Sequence, residues 1–466
     1  MKKTLSHLTS LVLAATLLAG CAWTRPEAPE ASHITAPEAW RVDGKGSAEL
    51  GANWWNGFGD PVLAEIVSKA LANNDDLAMA AERVLEARAQ YKAARGQLFP
   101  SLVLGAGGVR ERYVNAFGQP TMQNAEQAEF SASYDVDLFG RIGDLTEASK
   151  AQLLATQAAQ ESVKLAVVSS AASGYITLRS LDARLAVLED TLTARADSLK
   201  IARRRAETGY ASQLELEQAE AEYRATEQLI PATKLAITKQ ENGLSVLLGE
   251  TSQAIIRGSA LADLHLPSIA PGLPSNLLRR RPDIFQAEQQ VVAADASLDA
   301  ARAAMLPSIR LTADAGYVES SLLADPVRVF DIGGSILAPI FEGGRLRAQA
   351  DAAAARRDTA AFAYRKAVLG SFRDVNDALS AVQRNTQQNE ALVSQRDALA
   401  RALDHATRRY RSGYSPFLEQ LDTQRSLLSA ELALVQSQAD RLNAAVNLYQ
   451  ALGGGWQADT VTGQAQ

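Results

Sequence analysis

Two kinds of hydrophobic period run through this chain, and each occurs twice. Phe130, Ala132, Tyr134, Val136 and Leu138 alternate with Ser131, Ser133, Asp135 and Asp137. A period of two predicts a strand with one apolar and one polar face. Ile309, Leu311, Ala313, Ala315 and Tyr317 alternate with Arg310, Thr312, Asp314 and Gly316, and Phe330, Ile332, Gly334, Ile336, Ala338 and Ile340 line one face of a further strand. Polar loops near 113–125 and 319–328 join each strand to its neighbour. After each pair comes a helical pattern free of proline, over 142–208 and 346–412. At 1.5 Å per residue each helix would be roughly 100 Å long. Leu178, Leu181, Leu185, Leu188, Leu192 and Leu199 keep heptad spacing, as do Leu421, Leu428, Leu432, Val435, Leu442, Val446 and Tyr449. A sustained seven-residue period marks coiled-coil packing. Gly209 and Gly413 end the long helices, and a return helix over 212–248 or 416–451 completes a helical hairpin.

The pattern is a tandem duplication. Ala94-Arg95 and Pro100-Ser101 return as Ala301-Arg302 and Pro307-Ser308, an offset of 207. Arg204-Arg205 and Gly209-Tyr210 return as Arg408-Arg409 and Gly413-Tyr414, an offset of 204, and Leu244, Leu248 and Gly249 return as Leu448, Leu452 and Gly453 at the same offset. Phe139-Gly140-Arg141 has its echo in Phe341-Glu342-Gly343-Gly344-Arg345. Each unit is about 200 residues. The proline residues 267, 271, 274 and 282 mark an irregular connector. The expected organisation is a signal segment at 1–20, a wrapping segment at 21–60, a first repeat at 61–249, the connector at 250–283, a second repeat at 284–456 and a disordered tail at 457–466. Gly140, Gly143, Gly343 and Gly344 fall where strand gives way to helix, and glycine permits that swerve.

Four half-apolar strands do not close on themselves. In lipid every edge must be paired, so only a closed barrel serves. Two copies would give eight strands with a filled interior, and three copies give twelve with room for a pore. Periodicity alone fits a soluble antiparallel sheet packed on helices equally well.

Composition narrows the choice. The chain has 466 residues and is 47% hydrophobic, 21% charged and 6% aromatic, with net charge −6. That is too apolar for disorder. It offers no basic surplus for nucleic acid. A single cysteine excludes an intramolecular disulfide and a cysteine zinc cluster. Four scattered histidines and four unpaired methionines give no support to a metal site or to soft-metal export. No metalloprotease, serine-hydrolase, Walker or Rossmann motif occurs, so no enzyme is expected. Lys2 and Lys3 precede an apolar run, Leu11 to Leu18, too short to span a bilayer. It ends in Leu18-Ala19-Gly20-Cys21, which resembles a bacterial lipobox. The resemblance implies cleavage before Cys21 and acylation of Cys21, with Ala22 favouring the outer membrane over inner-membrane retention.

The chain as a whole resembles the outer-membrane factors of tripartite efflux pumps, the TolC/OprM type, in the NodT-like lipoprotein branch. The residues that carry this are Arg280-Arg281-Pro282-Asp283-Ile284 with Ala287-Glu288, Ala300-Ala301-Arg302-Ala303-Ala304, and Pro307-Ser308. Trp54-Trp55 through Phe58 and Asp60, and Leu448-Tyr449-Gln450-Ala451-Leu452-Gly453-Gly454-Gly455-Trp456, match as well. The resemblance implies an α+β membrane protein. It would be a homotrimer whose twelve-stranded outer-membrane β-barrel, four strands per chain, continues as a long periplasmic α-helical barrel. It further implies an adaptor (membrane fusion) protein and an inner-membrane RND-type transporter as partners, outer-membrane lipid around the barrel, and no cofactor beyond a lipid on Cys21.

Function then rests on a conduit and its gate. Glu419 and Asp422, at i and i+3, share a helix face. In a trimer they make a ring of six acids at the narrow periplasmic end, attractive to cations; the plain alternative is a solvated helix face. Family members carry acids at both positions. Tyr410 and Glu215 resemble a pair that latches neighbouring hairpins when closed, whereas a gating arginine of a family member falls on Ser415 here. Tyr410 could equally be packing at a coiled-coil seam. The hairpin turns are the expected adaptor-docking tips: Gly209, Tyr210, Ala211, Ser212 and Leu214, with Gly413, Tyr414, Ser415, Phe417 and Leu418. Phe417 and Leu418 could instead pack inside their hairpin. The leading expectation is a passive gated exit duct driven by an inner-membrane pump. The alternatives are a type I protein-secretion duct and a non-conducting periplasmic spacer.

Overall fold

The computed structural model describes residues 27–42, 51–267 and 270–458. Cys21, the signal segment and tail residues 459–466 lie outside them. Helices α1 (Pro61–Asn73) and α2 (Asp75–Gly96) lead into strands β1 (Ser101–Val114) and β2 (Pro120–Val136). The first hairpin follows: α3 (Arg141–Glu207), α4 (Gln213–Glu227) and α5 (Leu229–Leu247). A short helix α6 (Pro274–Arg280) precedes α7 (Pro282–Ala303), strands β3 (Ser308–Ser320) and β4 (Val327–Leu337), and the second hairpin, α8 (Arg345–Arg411) and α9 (Phe417–Ala451). The four strands form one antiparallel sheet in the order β1-β2-β3-β4, so β2 paired with β3 joins the two repeats.

Both long helices have 67 residues and begin just after a glycine in the left-handed region, Gly140 (φ 79°) and Gly344 (φ 82°). The Asp137 carboxylate accepts from the backbone N–H groups of Ile142 (3.0 Å) and Gly143 (2.7 Å), capping α3 where the chain leaves β2. Among the described residues no helix is long and apolar enough to cross a membrane.

Several expected boundaries move. The first strand loop shrinks from 113–125 to 115–119, because Thr121–Ala125 pair with β1 despite their polarity. The second shrinks from 319–328 to 321–326, and β4 stops at Leu337 rather than 340, ahead of Pro339. Ahead of Pro100 the chain forms two helices, α1 and α2, parted at Asn74, whose side chain caps α2. The return helix 212–248 is broken at Gln228. Pro231 explains the break: it has no N–H for the Glu227 carbonyl, and its ring crowds that carbonyl. The corresponding residue of the second repeat, Val435, sits inside the unbroken α9. The connector is not wholly irregular, since Pro274 and Pro282 each open a helix at its first turn.

The main core lies midway along the helices. Trp54, Trp55 and Phe58 pack with Val167, Ala171, Tyr175 and Tyr449, and Trp54 stacks on Tyr449 with centroids 4.6 Å apart. Buried Asp60 holds three segments together. Its carboxylate accepts from Val62 N–H (2.8 Å), from the Tyr175 hydroxyl (2.8 Å) and from Ser259 N–H (3.0 Å). Residues 27–42 lie along α8: Arg357 donates to the Glu27 carbonyl at 3.1 Å, and Arg41 N–H donates to Asn376 at 3.0 Å. Arg281 ties the start of α7 to the second hairpin, paired with Asp283 and Asp374 and donating to the Ala451 carbonyl.

Candidate functional site: the hairpin tips

Both tips are built by the same local chemistry. Helix α3 ends as Tyr210 N–H donates back to the Arg205 carbonyl (2.8 Å), with Gly209 at φ 77°. Helix α8 ends likewise, with Tyr414 N–H on the Arg409 carbonyl (2.9 Å) and Gly413 at φ 78°. This is the glycine C-terminal motif, which satisfies carbonyls that a helix end leaves orphaned. Ser212 then caps α4, its hydroxyl accepting from Glu215 N–H at 3.3 Å. Ser212 is thus a capping residue, and Ala211 beside it is half-buried.

Tyr210 (86% exposed) and Tyr414 (80%) point away from the protein, with Leu214 and Leu418 exposed beside them. Phe417 differs from its expected exposure. It is 4% exposed and packs with Tyr410, Leu421, Ala202 and Ala219. Its ring lies 5.4 Å from that of Tyr410. Burying the ring removes apolar area from water, which a free tip could not do. Ser415 is half-buried, and its hydroxyl has no hydrogen-bond partner.

Tyr410, near the end of α8, donates its hydroxyl to the Glu215 carboxylate at the start of α4. The bond joins the second hairpin to the first. Burial, then the Glu215 carboxylate, pushes the Tyr410 phenol up to about 12, and Arg205 opposes this. The guanidinium of Arg205 lies 4.6 Å from the Tyr410 ring centroid, a cation–π contact. Tyr410 is therefore both a seam residue and a hydrogen-bond donor.

Glu419 and Asp422 share the first turns of α9, but neither is a bare acid. Glu419 lies 3.3 Å from Arg409, and Asp422 lies 3.9 Å from Arg425.

Two turns above the Tyr410 contact is a rung that the sequence reading did not identify. Arg195 of α3 is 5% exposed and contacts the Glu222 carboxylate at 2.9 Å. It also donates to the Glu222 carbonyl (2.7 Å) and to Thr226 (2.6 Å). The same carboxylate accepts from Arg425 of α9, with Nε at 2.7 Å. Glu222 thus sits between two guanidiniums and joins three helices. Burial holds the Arg195 guanidinium below its usual pKa, with Glu222 opposing and Arg425 adding to the effect. A signal was present: seven-residue steps run Leu181, Leu188, Arg195, Ala202, so an arginine occupies a seam position.

Among the described residues no cluster of histidine, cysteine or carboxylates could hold a metal. The architecture is a strand quartet with two long hairpins closed at their tips, and it has known counterparts. The family model described as outer membrane efflux protein matches residues 66–250 and 273–454. The toluene efflux pump outer membrane protein TtgC of Pseudomonas putida is 36% identical over 477 residues, spanning 98% of this chain and 97% of that protein. The pyoverdine export outer membrane protein OpmQ of Pseudomonas aeruginosa is 33% identical over 463 residues, with 97% of each covered. The open-state MtrE outer membrane channel of Neisseria gonorrhoeae superposes with a TM-score of 0.83 at 29% identity, covering 94% of this chain and 99% of that one. Such channels form trimers in the outer membrane, extend into the periplasm and work with an adaptor and an inner-membrane pump. By sequence and by fold, this chain belongs to the outer membrane efflux protein family.

Proposed function

We propose that this chain is a gated exit duct for small amphiphilic molecules, shut in this conformation where its two hairpins are tied at their tips. The observation that carries this is the contact between Tyr410 of the second hairpin and Glu215 of the first. Glu222 braces the same pair of hairpins two turns higher. In this reading Glu419 and Asp422 line the constriction in all three protomers. Arg409 and Arg425 partly neutralise them, so the ring favours cations less than six free acids would. Tyr210, Leu214, Tyr414 and Leu418 form the adaptor-docking surface, and Phe417 supports it from inside. Cys21 carries the lipid anchor. The duct has no catalytic step, and the pump supplies the energy. The naming of relatives for toluene and pyoverdine supports small-molecule cargo over protein secretion.

Deleting the gene in its own host tests the cargo class. Intracellular accumulation of an amphiphilic dye should rise and be restored by the wild-type chain. Unchanged accumulation with loss of a secreted protein would favour the secretion duct.

A further inference from the structure

The strand register sorts every side chain of the sheet to one of two faces, since paired residues in a ladder share a face. Leu102, Ala132, Ala313 and Ile332 form one row, and Leu104, Phe130, Ala315 and Phe330 form the next. Phe130, Phe330 and Ile332 are all largely exposed. The opposite face carries Ser131, Asp314 and Asp331, and the Arg310–Asp135 ion pair. In the outer-membrane barrel the apolar face meets lipid and the polar face lines the lumen.

On the lipid face, charges enter only beyond these two apolar rows, over the four successive rows toward the strand hairpins. Above the two apolar rows lies Ala106, Ala128, Tyr317 and Arg328, then Gly108, Glu126 and Glu319, then Arg110 with Asn124, then Arg112 with Met122. From Ile309, low in the belt, to Glu319 is ten residues. At about 3.4 Å per residue and a tilt of about 40°, that rise is about 26 Å, against an apolar band of about 25 Å. Arg328 therefore lies at the upper rim, with Arg110 and Arg112 about 5 and 10 Å beyond Glu319. The strand hairpins point away from the periplasmic helices, so this is the rim of the outer leaflet.

Among the described residues none of these three arginines has a carboxylate partner in an ion pair, and Arg328 lies 5.6 Å from the Tyr317 ring centroid. A guanidinium fork fits phosphate oxygens in pairs. Glu126 and Glu319 face each other in register, an arrangement that repels. A divalent cation of the headgroup layer would offset it. Strands β1 and β4 are the edges of the four-strand sheet, so Arg110 and Arg112 on one edge and Arg328 on the other flank the seams where protomers close the barrel.

We propose that Arg110, Arg112 and Arg328 form a docking surface for the phosphates of an anionic outer-leaflet lipid, which staples the protomer seam. The test uses the purified, delipidated trimer in neutral detergent with magnesium, read by the temperature at which the trimer dissociates. The probes are lipopolysaccharide, phosphatidylcholine and inorganic phosphate. Lipopolysaccharide should raise the midpoint by at least about 3 °C. The shift should vanish in the Arg110→Gln, Arg112→Gln, Arg328→Gln variant, whose trimer band and helix signal without lipid should match wild type. Phosphatidylcholine and inorganic phosphate should do nothing. No shift in the wild type, an equal shift in the variant, or an equal shift with inorganic phosphate overturns the proposal. Should the triple variant fail to assemble, native mass spectrometry of wild type and Arg112→Gln decides. Fewer bound lipopolysaccharide molecules on the variant supports the surface, and equal numbers reject it.

Discussion

Replacing Glu222 by Gln keeps the shape of the brace between the hairpins and removes its charge. Wild-type Arg195 is 5% exposed with its Nε already unpaired, and the Glu222 side chain is 10% exposed. The variant leaves two guanidiniums facing each other without a carboxylate. Removing one partner of a buried ion pair costs about 3–5 kcal/mol. At about 1.4 kcal/mol per factor of ten, the local opening constant should rise roughly 100- to 4,000-fold. Hydrogen exchange of the assembled trimer reads this directly, because peptides over 190–227 and 417–430 report opening of the tips without global unfolding. Arg425→Gln is the internal comparison. That side chain is 53% exposed, so its loss should change exchange by no more than about tenfold. Arg195→Met combined with Glu222→Leu, which replaces both buried charges with apolar groups, should be nearly neutral, since a buried ion pair often does no better than its hydrophobic isostere. Exchange in Glu222→Gln within tenfold of wild type would refute the reasoning. So would Arg425→Gln equalling or exceeding Glu222→Gln.

Two further predictions concern other sites. A methyl group on Gly258 would come within 2.2 Å of the Asp60 carboxylate, so Gly258→Ala should displace the Tyr175 and Ser259 contacts and lower trimer yield, while Gly243→Ala, with open space around it, should not. Burial, with Asp190 adding and Arg396 opposing, raises the Glu431 carboxyl above its usual value. A raised folded-state value means a stability contribution present below the unfolded carboxyl range and lost as pH rises through the folded value. Exchange around 428–434, corrected for intrinsic rate, should therefore be slower at pH 4 than at pH 7. That difference should disappear in Glu431→Gln.

What the sequence discloses is what local chemistry decides. The 67-residue helices are legible because no proline interrupts them and Gly209 and Gly413 stop them. The membrane-level strands are legible because lipid on one face and lumen on the other impose a period of two. Beyond the apolar belt that rule fails. Thr121–Ala125 meet polar surroundings on both faces, so only their ladder to β1 makes them a strand. Pro231 stands within a strong helical pattern that hides the break it makes at Gln228. Of the tip residues, Tyr410 and Glu215 do meet, whereas the burial of Phe417 depends on helices from both hairpins. The charges around Arg195, those of Glu222 and Arg425, come from two other helices. Its place in the heptad could have flagged it, though not named those neighbours.

Single-channel recording in planar bilayers tests the central claim most directly, since a duct must conduct and a latched duct must conduct more when the latch is cut. Wild type should give rare, brief steps. Tyr410→Phe removes a hydrogen bond to a charged group, worth about 1.5–3 kcal/mol, and should raise open probability roughly 10- to 100-fold. Adding Glu419→Ala and Asp422→Ala to that variant should lower its cation preference at unchanged step frequency. Inserted, folded trimers that give no steps in any variant would contradict the account, as would an open probability that Tyr410→Phe leaves unchanged.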